Sequence, residues 1–120
     1  MLFRSPAKPR VVITQDPELD DVNTVIRALL YTADFKLEGL IYASATIHWK
    51  GDGKGTTQYN AGKGQQTSNR WPVDSDKWID ALVDDYAQVY ANLKVHNAGY
   101  PTPAEVRSDR KSTRLNSSHT

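Results

Sequence analysis

The chain has 120 residues, no cysteine and 38% hydrophobic residues, enough for one modest core and too many for a disordered chain. The lack of cysteine excludes disulfide staples, thiolate zinc sites and a cysteine nucleophile. The net charge of +1 rests on the end of the chain, where Arg110, Lys111 and Arg114 against Asp109 give +2 and leave −1 over residues 1–108. No basic patch therefore argues for nucleic acid, and no apolar run approaches the ~20 residues of a membrane span.

Residues 1–9 form a lead segment. Met1 to Arg10 carries three basic residues and two prolines but no apolar stretch, so it does not read as a secretory signal. Val11 to Thr14 is β-branched and apolar, which suits an interior strand of a parallel sheet. A polar turn, Gln15 to Asp21, follows. Val22, Val25, Ile26, Leu29 and Leu30 then recur at helical spacing, which puts Asp20 and Asp21 at the helix N-terminus, where carboxylates suit the dipole. Lys36 to Ser44 reads as a second interior strand. Strand, helix and strand in this order make a βαβ unit.

Trp49 to Asn69 is glycine-rich and polar and reads as a long loop, either functional or mobile. Its Gly51 to Thr56 stretch lacks the glycine and lysine spacing of a phosphate-binding loop, and Gly62-Lys63-Gly64 fails because Thr57 holds the first glycine position. A second helix is predicted over Ser75 to Lys94. Trp78, Ile79, Leu82, Val83, Tyr86, Val89, Tyr90 and Leu93 form its core stripe, with Asp76, Asp80, Asp84 and Asp85 on its solvated flank. Asn97 to Pro103 ends it. Two strands and two helices do not close a doubly wound sheet, so the reading is an α/β fold that is truncated.

The end of the chain stands apart. Asp109 to His119 reads DRKSTRLNSSH, without hydrophobic periodicity. Composition alone makes it a polar tail. The same string resembles, over all eleven residues, one reading frame of a short-read sequencing adapter. That resemblance implies a natural sequence ending near Ser108 and a non-native segment over residues 109–120. The Asn116-Ser117-Ser118 glycosylation signal lies inside it and is set aside.

The chemistry concentrates in Val12-Ile13-Thr14-Gln15-Asp16-Pro17-Glu18-Leu19-Asp20-Asp21. Carboxylates gather just beyond a strand, at the end where open α/β sheets bind ligands. Such a cluster repels itself unless a cation or proton intervenes, and hard oxygens favour Ca²⁺ or Mg²⁺. The plainer reading is helix capping by Asp20 or Asp21 with a solvated Asp16. The spacing from Asp16 to Asp20 is too wide for an aspartyl-phosphate phosphatase.

Asp-Pro-x-x-Asp-Asp after a first strand resembles the N-terminal signature of nucleoside hydrolases. Thr14 stands where that family has its first aspartate, and Glu18 where it has a glycine. Further strings are similar to a bacterial branch of the superfamily, the cellulose-binding, nucleoside-hydrolase-like domains. They are Leu29-Leu30-Tyr31, Glu38 to Ser44, His48 to Gly55 and Tyr100 to Pro103. The resemblance covers about residues 10–108. It implies the N-terminal portion of an open, mostly parallel sheet, with Ca²⁺ held by Asp16, Asp20 and Asp21. It also implies Asp16 as the base that removes a proton from the attacking water. Ser44 and Thr46 fall where the superfamily places a polar residue at the end of the next strand.

His48 and Trp49 follow as candidates for a sugar hydroxyl or leaving group and for a sugar face; the plainer readings are a solvated loop histidine and a loop anchor. Two functions are expected from this. The first is a Ca²⁺-dependent hydrolase of N-glycosyl or related glycosyl bonds acting on a small nucleoside or sugar. The second is a polysaccharide-binding protein without turnover, with Trp49, Tyr59 and Trp71 as exposed aromatics. This stretch of chain alone is expected to be inactive, because its two strands lack neighbours and its metal shell lacks ligands.

Overall fold

The structure, a computed structural model, describes residues 7–71 and 77–112. Its elements in chain order are β1 (Arg10–Gln15), α1 (Leu19–Leu29), β2 (Lys36–Tyr42), β3 (Gln58–Asn60), β4 (Gly64–Gln66), α2 (Trp78–His96), α3 (Pro103–Ser108) and β5 (Arg110–Ser112). β1, β2 and β5 form a parallel sheet in the order β1-β2-β5, and β3 with β4 forms a separate antiparallel hairpin. This is the α/β arrangement that the strand–helix–strand pattern predicts.

The β1–α1–β2 unit forms for local reasons. Arg10 pairs with Lys36 and Gln15 with Tyr42, with an irregularity between Val11 and Val12. Gly39 lies opposite Val12, and a Cβ on Gly39 would meet Val12 Cγ1 at 3.4 Å, an ordinary packing distance. Asp20 and Asp21 occupy the first turn of α1. Val25 and Leu29 are buried, whereas Ile26 and Leu30 from the same stripe remain 43% and 45% exposed. The buried face of α1 is thus narrower than the periodicity implied.

One core holds the layers together. Leu37, Leu40 and Tyr42 of β2 pack with Val25 and Leu29 of α1, Ile79, Leu82, Val83 and Tyr86 of α2, and Val106 of α3. Leu40, Ile79, Val83 and Val106 are fully buried. Each such side chain contributes roughly 1.5–3 kcal/mol by leaving water.

Several expectations need correction. Among the described residues β1 lies at the edge of the sheet, without the second neighbour an interior strand would have. Arg10, Val12 and Thr14 are exposed in alternation with the other positions, and Val12 is 57% exposed. β1 pairs only with β2 among the described residues and packs on one face. β2 is the central strand. The stretch from Trp49 to Asn69 is not a plain loop, because it contains the β3–β4 hairpin and is closed by an antiparallel bridge between its two ends. Gly51, at φ 87°, permits this closure: a Cβ there would lie 2.0 Å from the Thr67 carbonyl oxygen.

α2 runs two residues beyond its expected end, to His96, and its expected start at Ser75, with Asp76, lies outside the described residues. α3 was not anticipated. Thr102 caps it reciprocally with Glu105, and Pro103 opens it. β5 was also not anticipated. It lies in the segment set apart as a tail, yet Arg110 to Ser112 pair with Leu40 to Tyr42, and the Leu40 amide donates to the Asp109 carbonyl at 2.7 Å. The reason is that β2 offers an unfilled edge, which an extended backbone following α3 can occupy whatever its side chains.

Candidate metal centre

β1 ends at Gln15, so Asp16 emerges at the carboxyl end of the parallel strands. Two hydrogen bonds fix it. Its backbone amide donates to Asp21 Oδ2 at 3.1 Å, and its Oδ1 accepts from the Glu18 amide at 2.9 Å. Its side chain is buried to all but 11%, and Oδ2 faces His48. The short turn Asp16-Pro17-Glu18 therefore holds one carboxylate rigidly and brings a second, that of Glu18, to the same side.

His48 arrives from a different part of the chain. The Ala45 amide donates to the His48 carbonyl at 2.8 Å, forming a tight turn beyond β2. Trp49 and Asn69 then exchange backbone hydrogen bonds of 2.9 and 2.7 Å. The Asn69 side chain donates to the Ile47 carbonyl at 2.5 Å and accepts from Lys63 Nζ at 3.0 Å. Asn69 thus ties the β3–β4 hairpin to the histidine turn.

His48 Nδ1 stands 3.7 Å from Asp16 Oδ2 and 3.6 Å from Glu18 Oε2, with the imidazole 9% exposed. At those distances Nδ1 makes no hydrogen bond. Asp16, Glu18 and His48 each offer one ligand atom, and the three atoms lie within 4.8 Å of one another. Among the described residues this is the one such group. It is a possible metal-binding triad.

The sequence-derived candidates separate here. Asp16 is central. Asp21 is adjacent, but its Oδ2 is engaged by the Asp16 amide. Asp20 is exposed in the first turn of α1 and lies outside the converging group. Ser44 and Thr46 are exposed on the segment between β2 and His48, and Trp49 is half-buried. Of the other aromatics, Tyr59 is 65% exposed, whereas Trp71 is half-buried and packs edge-on against Trp78 at 5.2 Å.

Sequence reasoning passed over Glu18 as a ligand, although a carboxylate two residues after Asp16, where the related family has glycine, was the available signal. It also passed over Gln15, whose side-chain amide is buried with neither end hydrogen-bonded among the described residues.

The nucleoside-hydrolase resemblance implies Ca²⁺ at this position. Ca²⁺ takes six to eight oxygens. The converging donors here are two carboxylates and one imidazole nitrogen, and the three aspartates expected around the ion do not meet at one point. The described residues do not fit an all-oxygen calcium shell.

Residues 10–119 match the model of the family described as cellulose-binding Sde182, nucleoside hydrolase-like domain. The chain belongs to this cellulose-binding, nucleoside hydrolase-like family. No curated protein and no solved structure matches it.

Proposed function

We propose that this chain supplies the Asp16 side of a site that hydrolyses an N-glycosyl or related glycosyl bond. The supporting observation is a buried carboxylate at the strand end, with one oxygen held by the Glu18 amide and the other turned towards His48. A carboxylate fixed in this way needs little reorganisation to take a proton.

In this reading Asp16 Oδ2 accepts a proton from the attacking water, whose oxygen bonds to the anomeric carbon. The glycosyl bond breaks with its electron pair passing to the leaving group, which takes its proton from solvent, and His48 stays beside Asp16 on the attacking side. Ser44 and Thr46 offer hydroxyls to the sugar, and Trp49 offers an apolar face. The site does not carry the calcium dependence implied by nucleoside hydrolases in this reading, because the donor set contains a nitrogen and Asp20 stands apart. Asp20 and Asp21 act instead at the start of α1, with Asp21 holding the Asp16 backbone.

A full-length family member carrying this segment provides the test. Asp16→Asn should lower release of free base or reducing sugar by at least about a thousandfold while sugar binding persists. An Asp16→Asn enzyme with parental turnover would remove Asp16 from the chemistry.

A second reading is carbohydrate binding without turnover. The family's description names cellulose, and exposed Tyr59 offers a ring on the hairpin. Retention on insoluble cellulose that Tyr59→Ala abolishes, with no product over long incubation, would favour it over hydrolysis.

A further inference from the structure

Three potential ligands converge from two separate parts of the chain, and one is a buried nitrogen with no hydrogen-bond partner. We propose that Asp16, Glu18 and His48 bind a divalent transition-metal ion of the Zn²⁺ and Mn²⁺ class in preference to Ca²⁺.

The distances favour an ion over a simple ion pair. An imidazolium donating to a carboxylate would close to about 2.7–2.9 Å on one partner. His48 Nδ1 instead stands almost equally far from two carboxylate oxygens, at 3.7 and 3.6 Å. One proton cannot serve both. A metal can, because bonds of about 2.1 Å at the tetrahedral angle place neighbouring donors about 3.4 Å apart. A contraction of a few tenths of an ångström brings Nδ1 to that spacing from both oxygens.

The donor types set the selectivity. Imidazole nitrogen with carboxylate oxygen suits borderline first-row ions, whereas Ca²⁺ gains little from nitrogen and needs more oxygens than converge here. The supports resemble those that orient metal ligands elsewhere. Asp16 Oδ1 is held by the Glu18 amide, which leaves Oδ2 free, and the Ala45–His48 turn and the Asn69 side chain hold the segment that carries His48. The Glu18 side chain is 46% exposed, so one side of the site is open to water or substrate as a further ligand.

This inference stands whether or not the site turns over a substrate, so it is measured by binding alone. The probe is Co²⁺, titrated into the 120-residue chain and followed by its visible absorption bands. One Co²⁺ per chain is expected, displaced by stoichiometric Zn²⁺ and retained in a large excess of Ca²⁺. His48→Gln and Glu18→Gln should each weaken Co²⁺ binding by at least about a hundredfold. Asp20→Asn should leave it unchanged. His96 and His119 remain in the His48→Gln chain, so its loss of binding assigns the nitrogen. Far-ultraviolet circular dichroism of each variant checks the fold. If His48→Gln unfolds, Glu18→Gln carries the test, because its side chain is half-exposed. Displacement of Co²⁺ by Ca²⁺, full binding by a folded variant, or no binding by the folded parent would each overturn the assignment.

Discussion

Tyr42 and Asp80 are bound twice to each other: the Tyr42 hydroxyl donates to Asp80 Oδ2 at 2.6 Å and accepts from the Asp80 backbone amide at 2.9 Å. The last residue of β2 is thereby locked to the first turn of α2. Arg110 Nε reaches the other Asp80 oxygen at 2.9 Å, so β5 joins the same knot. Burial, then the bond to Asp80, pushes the Tyr42 phenol well above the ordinary tyrosine range.

Tyr42→Phe removes both bonds and keeps the ring against Trp78. We expect a loss of about 1–3 kcal/mol in urea unfolding, since the Asp80 amide loses a partner in a half-buried site.

The same residue sets an alkaline limit. An unfolded tyrosine ionises near pH 10. The folded Tyr42 resists ionisation, so its contribution is complete below about pH 10 and is lost as pH rises through the higher folded value. Tyr86, also raised by burial, acts in the same direction. The stability of the parent should therefore fall above pH 10, and that of Tyr42→Phe should fall less steeply. Parallel slopes for the two proteins would contradict this.

Asn69→Ala should loosen the histidine turn without opening the main core. The Ile47 carbonyl and Lys63 Nζ both lose a partner, and the change should cost about 1–3 kcal/mol. Faster amide exchange at His48 and Trp49, with exchange at Leu40 unchanged, is the expected pattern.

Gly51→Ala should be far more damaging than Gly55→Ala. Both glycines have positive φ, 87° and 81°, which costs alanine roughly 1–2 kcal/mol. Only at Gly51 does the new methyl meet backbone, 2.0 Å from the Thr67 oxygen, whereas nothing lies within 4 Å at Gly55. Thermal unfolding of the two variants side by side gives the comparison.

Ending the chain at Ser108 removes β5 and the Arg110–Asp80 pair. Amide exchange along Leu40 to Tyr42 should quicken, while the β1–β2 ladder stays protected. On the reading of residues 109–119 as adapter, an independent long-read sequence of the gene should diverge after Ser108. Recovery of DRKSTRLNSSH from such a read would refute it.

The legible parts of this fold are those whose side chains carry their own period. The Val25 and Leu29 spacing announced α1, and Ile79 to Tyr86 announced α2, because burial of one helical face writes a repeat into the sequence. β5 carries no such repeat. Its position comes from the open edge of β2, a property of another segment. α3 has a readable signal, Thr102-Pro103-Ala104-Glu105, but a proline there suits the end of one helix as well as the start of the next.

The candidate site divides in the same way. Asp16 follows from a local motif. Its meeting with His48 depends on the path of residues 43–69, fixed by Gly51 and Asn69, and no local pattern states where that path returns. The nucleoside-hydrolase motif points to Asp20, whereas the carboxylate that converges on Asp16 and His48 is Glu18, at a position where that motif has glycine.

The exposed flank of β1 has a consequence for handling the protein. Along Arg10–Gln15, no strand among the described residues covers the side away from β2. Uncovered backbone of this kind can zip onto any extended chain that drifts by, including a partly unfolded copy. Arg10, charged and paired with Glu38 at 2.9 Å, guards only one end of the flank, and exposed Val12 offers no repulsion. Crowded refolding should therefore favour precipitates with a cross-strand diffraction spacing, and dilution, rather than added salt, should recover the soluble form.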